Sequence, residues 1–281
     1  QRFDVRLNVY VFLVLNTIFF WDVWQIRALN NWKTNYKNDV EKWFETIATF
    51  EVVQSFAITA FNNTHWNFPK ISDAFFELTT VEVGHPLIPK NKSVTNNFST
   101  KGIGQITLIT GSNMAGKSTF LRSIGCNIVL ALAGSKVCAS SFSFSEIALM
   151  SSMRIADNLA ENTSTFYAEL KKLRSIIKAV NSKKPVFILL DEILRGTNSL
   201  DRHTGSKALI TQFIQDKTQA IVATHDVELS KIEALFPENI SNYHFDVEVE
   251  NERLYFDYTL KKGVCNTLNA TILMKQIGIM V

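Results

Sequence analysis

Ten consecutive residues constrain this chain more than any others. Thr110-Gly111-Ser112-Asn113-Met114-Ala115-Gly116-Lys117-Ser118-Thr119 satisfies the spacing G-x-x-x-x-G-K-S/T, a glycine-rich turn whose backbone N–H groups can wrap the phosphates of a nucleotide. The run before it, Gly104 to Ile109, is short, β-branched and apolar, as a buried strand requires. After it, Phe120, Leu121, Ile124, Ile128 and Leu132 recur at helical spacing. Strand, glycine loop and helix together point to a bound nucleoside triphosphate. Lys117 is placed to reach the β- and γ-phosphates and the Ser118 hydroxyl to ligate Mg²⁺. Thr119 and the helix N-terminus add to the same anion site.

From about residue 101 onward, strands and helices alternate. Val186 to Leu190 and Ala220 to Ala223 are short apolar runs of the buried parallel-strand kind, and 166–181 and 202–215 read as helices. This alternation predicts an α/β sheet wrapped on both faces. Residues 243–249 and 253–258 alternate around Glu250-Asn251-Glu252 and read as a hairpin, followed by a last helix over 266–277. The first part differs. Residues 5–62 contain neither Pro nor Gly and read as two long helices broken at Asn30-Asn31, the second with Trp43, Phe44, Ile47, Phe50, Val53 and Phe56 on a broad apolar face. Residues 71–100 are mixed, with turn signals at Gly84-His85-Pro86 and Asn96-Asn97. The expected division is a helical segment at 1–70, an α/β domain at 71–262 and a closing helix at 263–281.

Composition removes several function classes. The apolar run from Val9 to Trp21 lies between Arg6 and Asp22 and falls short of the ~20 residues that span a bilayer, so a buried helix is the better reading and no membrane contact is expected. A net charge of +3 over 281 residues is no independent footprint for nucleic acid. Cys126, Cys138 and Cys265 form no C-x-x-C, and the 5 histidines show no metal-binding spacing, which argues for reduced thiols and against zinc. A cytoplasmic setting is expected. A start at Gln1 inside a helical pattern reads as a piece of a longer protein.

Three further constellations carry chemistry. Phe187 to Leu190 leads into Asp191-Glu192, two adjacent carboxylates that a strand sends in opposite directions. Asp191 is the candidate for the Mg²⁺ shell and Glu192 for the general base that polarises a water; alone, the pair would read as a solvated strand end. Thr224-His225 closes the next strand, where a histidine can bond the γ-phosphate or simply serve the fold. Asn162-Thr163-Ser164-Thr165-Phe166 opens the helix containing Glu169, with hydroxyls suited to an N-cap.

In their order these motifs resemble ABC-type ATPases, and in detail the MutS mismatch-repair family. The loop from Thr110 to Thr119 is similar to that family's T-G-x-N-M-x-G-K-S-T, and Asp191-Glu192-Ile193-Leu194-Arg195-Gly196-Thr197 to its D-E-x-x-R-G-T. Ser164-Thr165-Phe166 resembles its S-T-F signature, Thr224-His225 its T-H, Gly84-His85-Pro86-Leu87 its opening H-P turn, and Arg154 to Leu159 its R-I-G-x-x-D-x-L with Ala156 for Gly. The stretch from Phe50 to Pro69 resembles the helix that feeds the ATPase domain from long levers.

The resemblance implies an ABC-type fold with a mixed central sheet flanked by helices, ATP and Mg²⁺ as ligands, and composite sites in a homodimer formed on ATP binding. In one subunit Gly111 to Thr119 would wrap the nucleotide, Ser118 and Asp191 would hold Mg²⁺, and Lys117, Glu192 and His225 would act on the phosphates. Ser164 and Thr165 would meet that nucleotide from the opposite subunit, and the turn from Thr197 to Asp201 would connect the two sites. Nucleotide state would then move helical arms that hold duplex DNA.

Some departures bear on function. Where the family places an aromatic against adenine, this chain has Ser93-Val94-Thr95-Asn96, which leaves His85 or Val94 to hold the base. Phe144-Ser145-Glu146 spells the mismatch-reading Phe-x-Glu but falls inside the ATPase region and reads as structural. An ATP-switched dimeric scaffold without mismatch recognition is the alternative expectation. An ATPase split by a long coiled coil is disfavoured, because no heptad run separates Lys117 from Asp191.

Overall fold

A computed structural model describes residues 8–112, 114–153, 165–182, 185–250 and 253–265. The chain divides at Thr59 into two compact units. The first is helical: α1 (Val9–Phe19), α2 (Trp21–Tyr36) and α3 (Val40–Asn62), which runs on into the second unit. The expected break at Asn30-Asn31 is absent; α2 runs straight through it. The bend lies instead at Phe20, whose φ of 51° is left-handed. There the Asn16 side chain accepts a hydrogen bond from the Asp22 amide at 3.1 Å, closing the turn that opens α2. Among the described residues no single helix is long and apolar enough to cross a membrane; α1 and α2 have the composition only as a pair, and they meet at 78°.

The second unit is built on a six-stranded sheet. In chain order its strands are β4 (Ile106–Thr110), β6 (Ala148–Ser152), β7 (Val186–Asp191), β8 (Gln219–Ala223), β9 (Ile240–Phe245) and β12 (Leu260–Lys262). They lie side by side as β12-β9-β4-β8-β7-β6, all parallel except the antiparallel β12–β9 pair, so the sheet is mixed. The continuous apolar runs follow from burial on both faces. On one face Leu108, Ile188, Leu190 and Val222 pack with Leu173 and Ile176 of α5 (Thr165–Asn181) and with Ile210 and Phe213 of α6 (Ser199–Gln215). On the other, Ile109, Leu189 and Ile221 pack with Phe120, Leu121 and Ile124 of α4 (Lys117–Leu132).

A second, four-stranded sheet closes that face, and sequence patterning did not separate it from loop. Its strands β1 (Lys70–Ile71), β2 (Glu77–Val83), β3 (Asn96–Lys101) and β5 (Ser141–Phe144) are ordered β1-β5-β2-β3. Phe144 is buried in β5, and the Ser145 hydroxyl accepts from the Glu77 amide at 2.7 Å, so Phe144-Ser145-Glu146 is part of the scaffold. The expected hairpin is redistributed. Residues 240–245 join the central sheet beside β4, and only β10 (Glu248–Glu250) and β11 (Arg253–Tyr255) pair as a hairpin. The expected helix over 266–277 lies outside the described residues.

Candidate functional site

Strand register builds the site. Ile109 of β4 pairs with Ala223 of β8, and Ala223 pairs with Asp191 of β7, so the three strands end level with one another. The glycine loop, His225 and Asp191-Glu192 therefore emerge along one edge. Gly111 leaves β4 at φ 137°, and a Cβ there would stand 2.8 Å from the Phe245 carbonyl oxygen. Gly116 enters α4 at φ 105°, beside the ring of Tyr258. Both positions need glycine.

Lys117 folds back into this loop. Its ammonium donates to the Gly111 carbonyl at 2.6 Å and the Ser112 carbonyl at 2.7 Å, and the residue is 2 % exposed. Burial pushes its pKa down to about 8, while the nearby Asp191 charge resists that shift. The amine is thus a desolvated cation held where an anion would be neutralised.

Beyond the loop lies a cavity of about 490 Å³ lined by Ser118, Arg122, Asp191, Glu192, Arg195, Arg202 and His225. Asp191 Oδ1 is buried there with no hydrogen-bond partner among the described residues. An unpaired buried carboxylate oxygen is costly, and with the Ser118 hydroxyl it forms the hard oxygen set that Mg²⁺ takes. The donors present fit that ion.

Glu192 follows at φ 53°, a left-handed turn that swings its carboxylate away from Asp191. It is 7 % exposed, ion-paired with Arg195, and 3.9 Å from His225 Nδ1. Burial, with Arg202, Lys117 and Arg195, holds the His225 imidazole below its usual pKa, so it is neutral at pH 7. Asp226 forms the next link: its Oδ2 lies 2.8 Å from His203 Nδ1 on α6.

A second cavity of about 410 Å³ adjoins the first at Ser118, with Val83, Ile88, Val94, Met114, Phe120 and Tyr258 among its walls. Its apolar lining suits a nucleotide base. Val94 belongs to it, whereas His85 is not among its lining residues; the His85 Nδ1 accepts from the Leu87 amide at 3.2 Å instead. Asn96 secures one wall, donating to the Tyr258 carbonyl at 3.1 Å and accepting from the Leu260 amide at 2.7 Å. Tyr258 was not expected from sequence. Its segment is remote in the chain, and only the β9–β12 pairing brings it back beside Gly116.

Ser164 and Asn113 lie outside the described residues, and Thr165 is described only as the first residue of α5. The turn from Thr197 to Asp201 is closed by Asn198, which caps α6 by accepting from the Asp201 amide at 2.9 Å. Sequence reading also missed Arg122 and Arg202, whose spacing carries no signal; the folded cavity alone brings them to the carboxylates.

The MutS domain V family model matches residues 107–278. The chain is 34 % identical to human MutS protein homolog 4 over 240 residues, which is 81 % of this chain and 25 % of that protein. It is 31 % identical to the DNA mismatch repair protein MutS of Persephonella marina over 245 residues, covering 85 % of this chain and 28 % of that one. For MutS of Ehrlichia chaffeensis the identity is 34 % over 223 residues, 78 % of this chain and 27 % of the relative. The chain thus spans about a quarter of the length of these curated relatives.

Proposed function

The chain belongs to the MutS family and carries its ATPase-type domain, and from that premise we propose that it binds ATP with Mg²⁺ and hydrolyses it to ADP and phosphate. The observation that carries this reading is the orphaned Asp191 Oδ1, in one cavity with Ser118, Glu192 and His225. Gly111 to Thr119 cradles the phosphates, Lys117 neutralises them, and Ser118 with Asp191 holds Mg²⁺, which would supply charge neutralisation. The base enters the apolar cavity between Val94 and Tyr258. Glu192 accepts the proton of the attacking water once a substrate phosphate draws Arg195 away, and neutral His225 donates to the γ-phosphate.

The site is completed by a second copy, whose Ser164 and Thr165 meet the nucleotide across the interface. The helical segment over residues 1–70 links the ATPase domain over 71–262 to arms that hold duplex DNA, and residues 263–281 contribute to dimer formation. Steady-state hydrolysis by the full-length protein and its Glu192→Gln variant tests the reading. Turnover should fall by about 100-fold or more while ATP still binds and drives dimerisation; equal turnover would remove Glu192 as the base.

One observation favours a second reading, an ATP-switched scaffold whose arms hold protein rather than DNA. The helix over Val9–Phe19, expected to be a buried one, has no buried residue: Leu13, Ile18 and Phe19, with Trp24 of α2, are all exposed. Anisotropy with homoduplex, mismatched and branched DNA at stated salt decides between the two; absence of binding at low salt would favour the scaffold.

A further inference from the structure

The cavity beside the glycine loop holds more positive charge than the roles above use. Of its three arginines, Arg195 is ion-paired with Glu192. Lys117 is committed to two loop carbonyls. Arg202 differs. It sits in the first turn of α6, behind the Asn198 cap, and lines the cavity alongside Asp191, Glu192 and His225. Its Nε is buried and has no hydrogen-bond partner among the described residues.

A buried guanidinium N–H without an acceptor loses its hydration and gains nothing in return. The planar fork of Arg matches a phosphate better than any other side chain. The residue also lines the cavity where Glu192 and His225 converge, and its guanidinium charge reaches that histidine.

We propose that Arg202 is a catalytic residue, a built-in arginine that bonds the γ-phosphoryl oxygens as they gain charge during hydrolysis. The proposal rests on reading this cavity as the γ-phosphate end of an ATP site. In the step it assists, a water oxygen forms a bond to the γ-phosphorus and its proton passes to Glu192. The β–γ bridging bond breaks, and ADP leaves with the electron pair. Charge spreads over the equatorial oxygens, and a preplaced guanidinium stabilises it more than it stabilises bound ATP.

The test uses the full-length protein with Arg202→Ala, Arg202→Lys and Arg202→Met, the last keeping the apolar stem should the alanine variant fail to fold. Expected are a loss in kcat on the order of 100-fold, ADP affinity unchanged, and loss of trapping of the transition-state mimic formed by ADP with aluminium fluoride. Arg202→Lys should recover part of the rate. Wild-type turnover in both Arg202→Ala and Arg202→Met overturns the proposal, as does an equal loss of ADP and ATP affinity, which would mark a structural role. Lys117→Ala separates the two levels: if it binds ATP like wild type, the nucleotide reading itself fails, whereas normal Lys117→Ala and Glu192→Gln defects beside an active Arg202→Met sink the Arg202 role alone.

Discussion

The Glu169 carboxylate on α5 accepts a hydrogen bond from the Leu194 amide at 2.5 Å, tying that helix to the turn that presents Glu192. The turn is strained: Glu192 and Leu194 both have positive φ, at 53° and 58°. Such conformations cost roughly 1–3 kcal/mol each and persist where surrounding contacts hold them. Besides Glu169, the side chain of Leu194 presses on Gly205 of α6, where a Cβ would come within 2.5 Å. Glu169→Ala should therefore lower kcat about tenfold with nucleotide affinity unchanged, and Glu169→Gln, which still accepts a hydrogen bond, should restore most of it. Single-turnover rates alongside equilibrium binding provide the measurement.

Gly196 meets α5 in the same region. A Cβ on it would lie 2.5 Å from Phe166 Cβ, with no flexible side-chain end to give way. Gly196→Ala should destabilise the domain by about 1–3 kcal/mol and slow hydrolysis, whereas Gly134→Ala, whose Cβ meets open space but whose φ of 82° is left-handed, should cost about 1 kcal/mol of stability yet spare hydrolysis. Steady-state hydrolysis of both variants, beside their denaturant unfolding, checks the contrast.

The titration of Lys117 gives stability and binding opposite pH slopes. Unfolded, the amine titrates near 10.5; folded, at about 8. The folded chain holds fewer protons across that interval, so this group makes stability rise as pH climbs from 8 towards 10.5. ATP requires the charged amine, so affinity should fall over the same range. At pH 8, binding should take up about half a proton, read from calorimetric titrations in buffers of different ionisation enthalpy.

Asn96 clamps the backbone on both sides of Thr259 and so holds Tyr258 against the apolar cavity. Asn96→Ala should raise the KM for ATP several-fold while leaving kcat within about twofold, because base contacts are made equally in the ground and transition states. A matching fall in kcat would show that the clamp serves the phosphate end instead.

The sequence made legible whatever is written locally. The Gly111–Thr119 loop, the Asp191-Glu192 pair and Thr224-His225 each sit at the end of an apolar run that had to be a buried strand. Their alignment was not written there, since it depends on which strands become neighbours. The break assigned to Asn30-Asn31 failed because asparagine within a helix costs only about 0.5 kcal/mol, too little to end one. The bend at Phe20 needs Asn16 to cap from the preceding helix, a reach no local pattern marks. The four-stranded sheet escaped notice because its strands are short and polar on one side, as in Asn96–Lys101. Arg202 stayed hidden because a lone arginine in an amphipathic helix reads as solvated surface.

The rungs joining Ile109, Ala223 and Asp191 carry one more implication. Two strand spacings, about 9.6 Å, separate the glycine loop from the acid by main-chain hydrogen bonds alone, with the histidine-bearing strand between them. Side-chain drift in the surrounding core leaves that gauge unchanged. A lineage can therefore exchange most of the hydrophobic interior and alter whatever the arms grasp, while its hydrolytic edge stays in calibration.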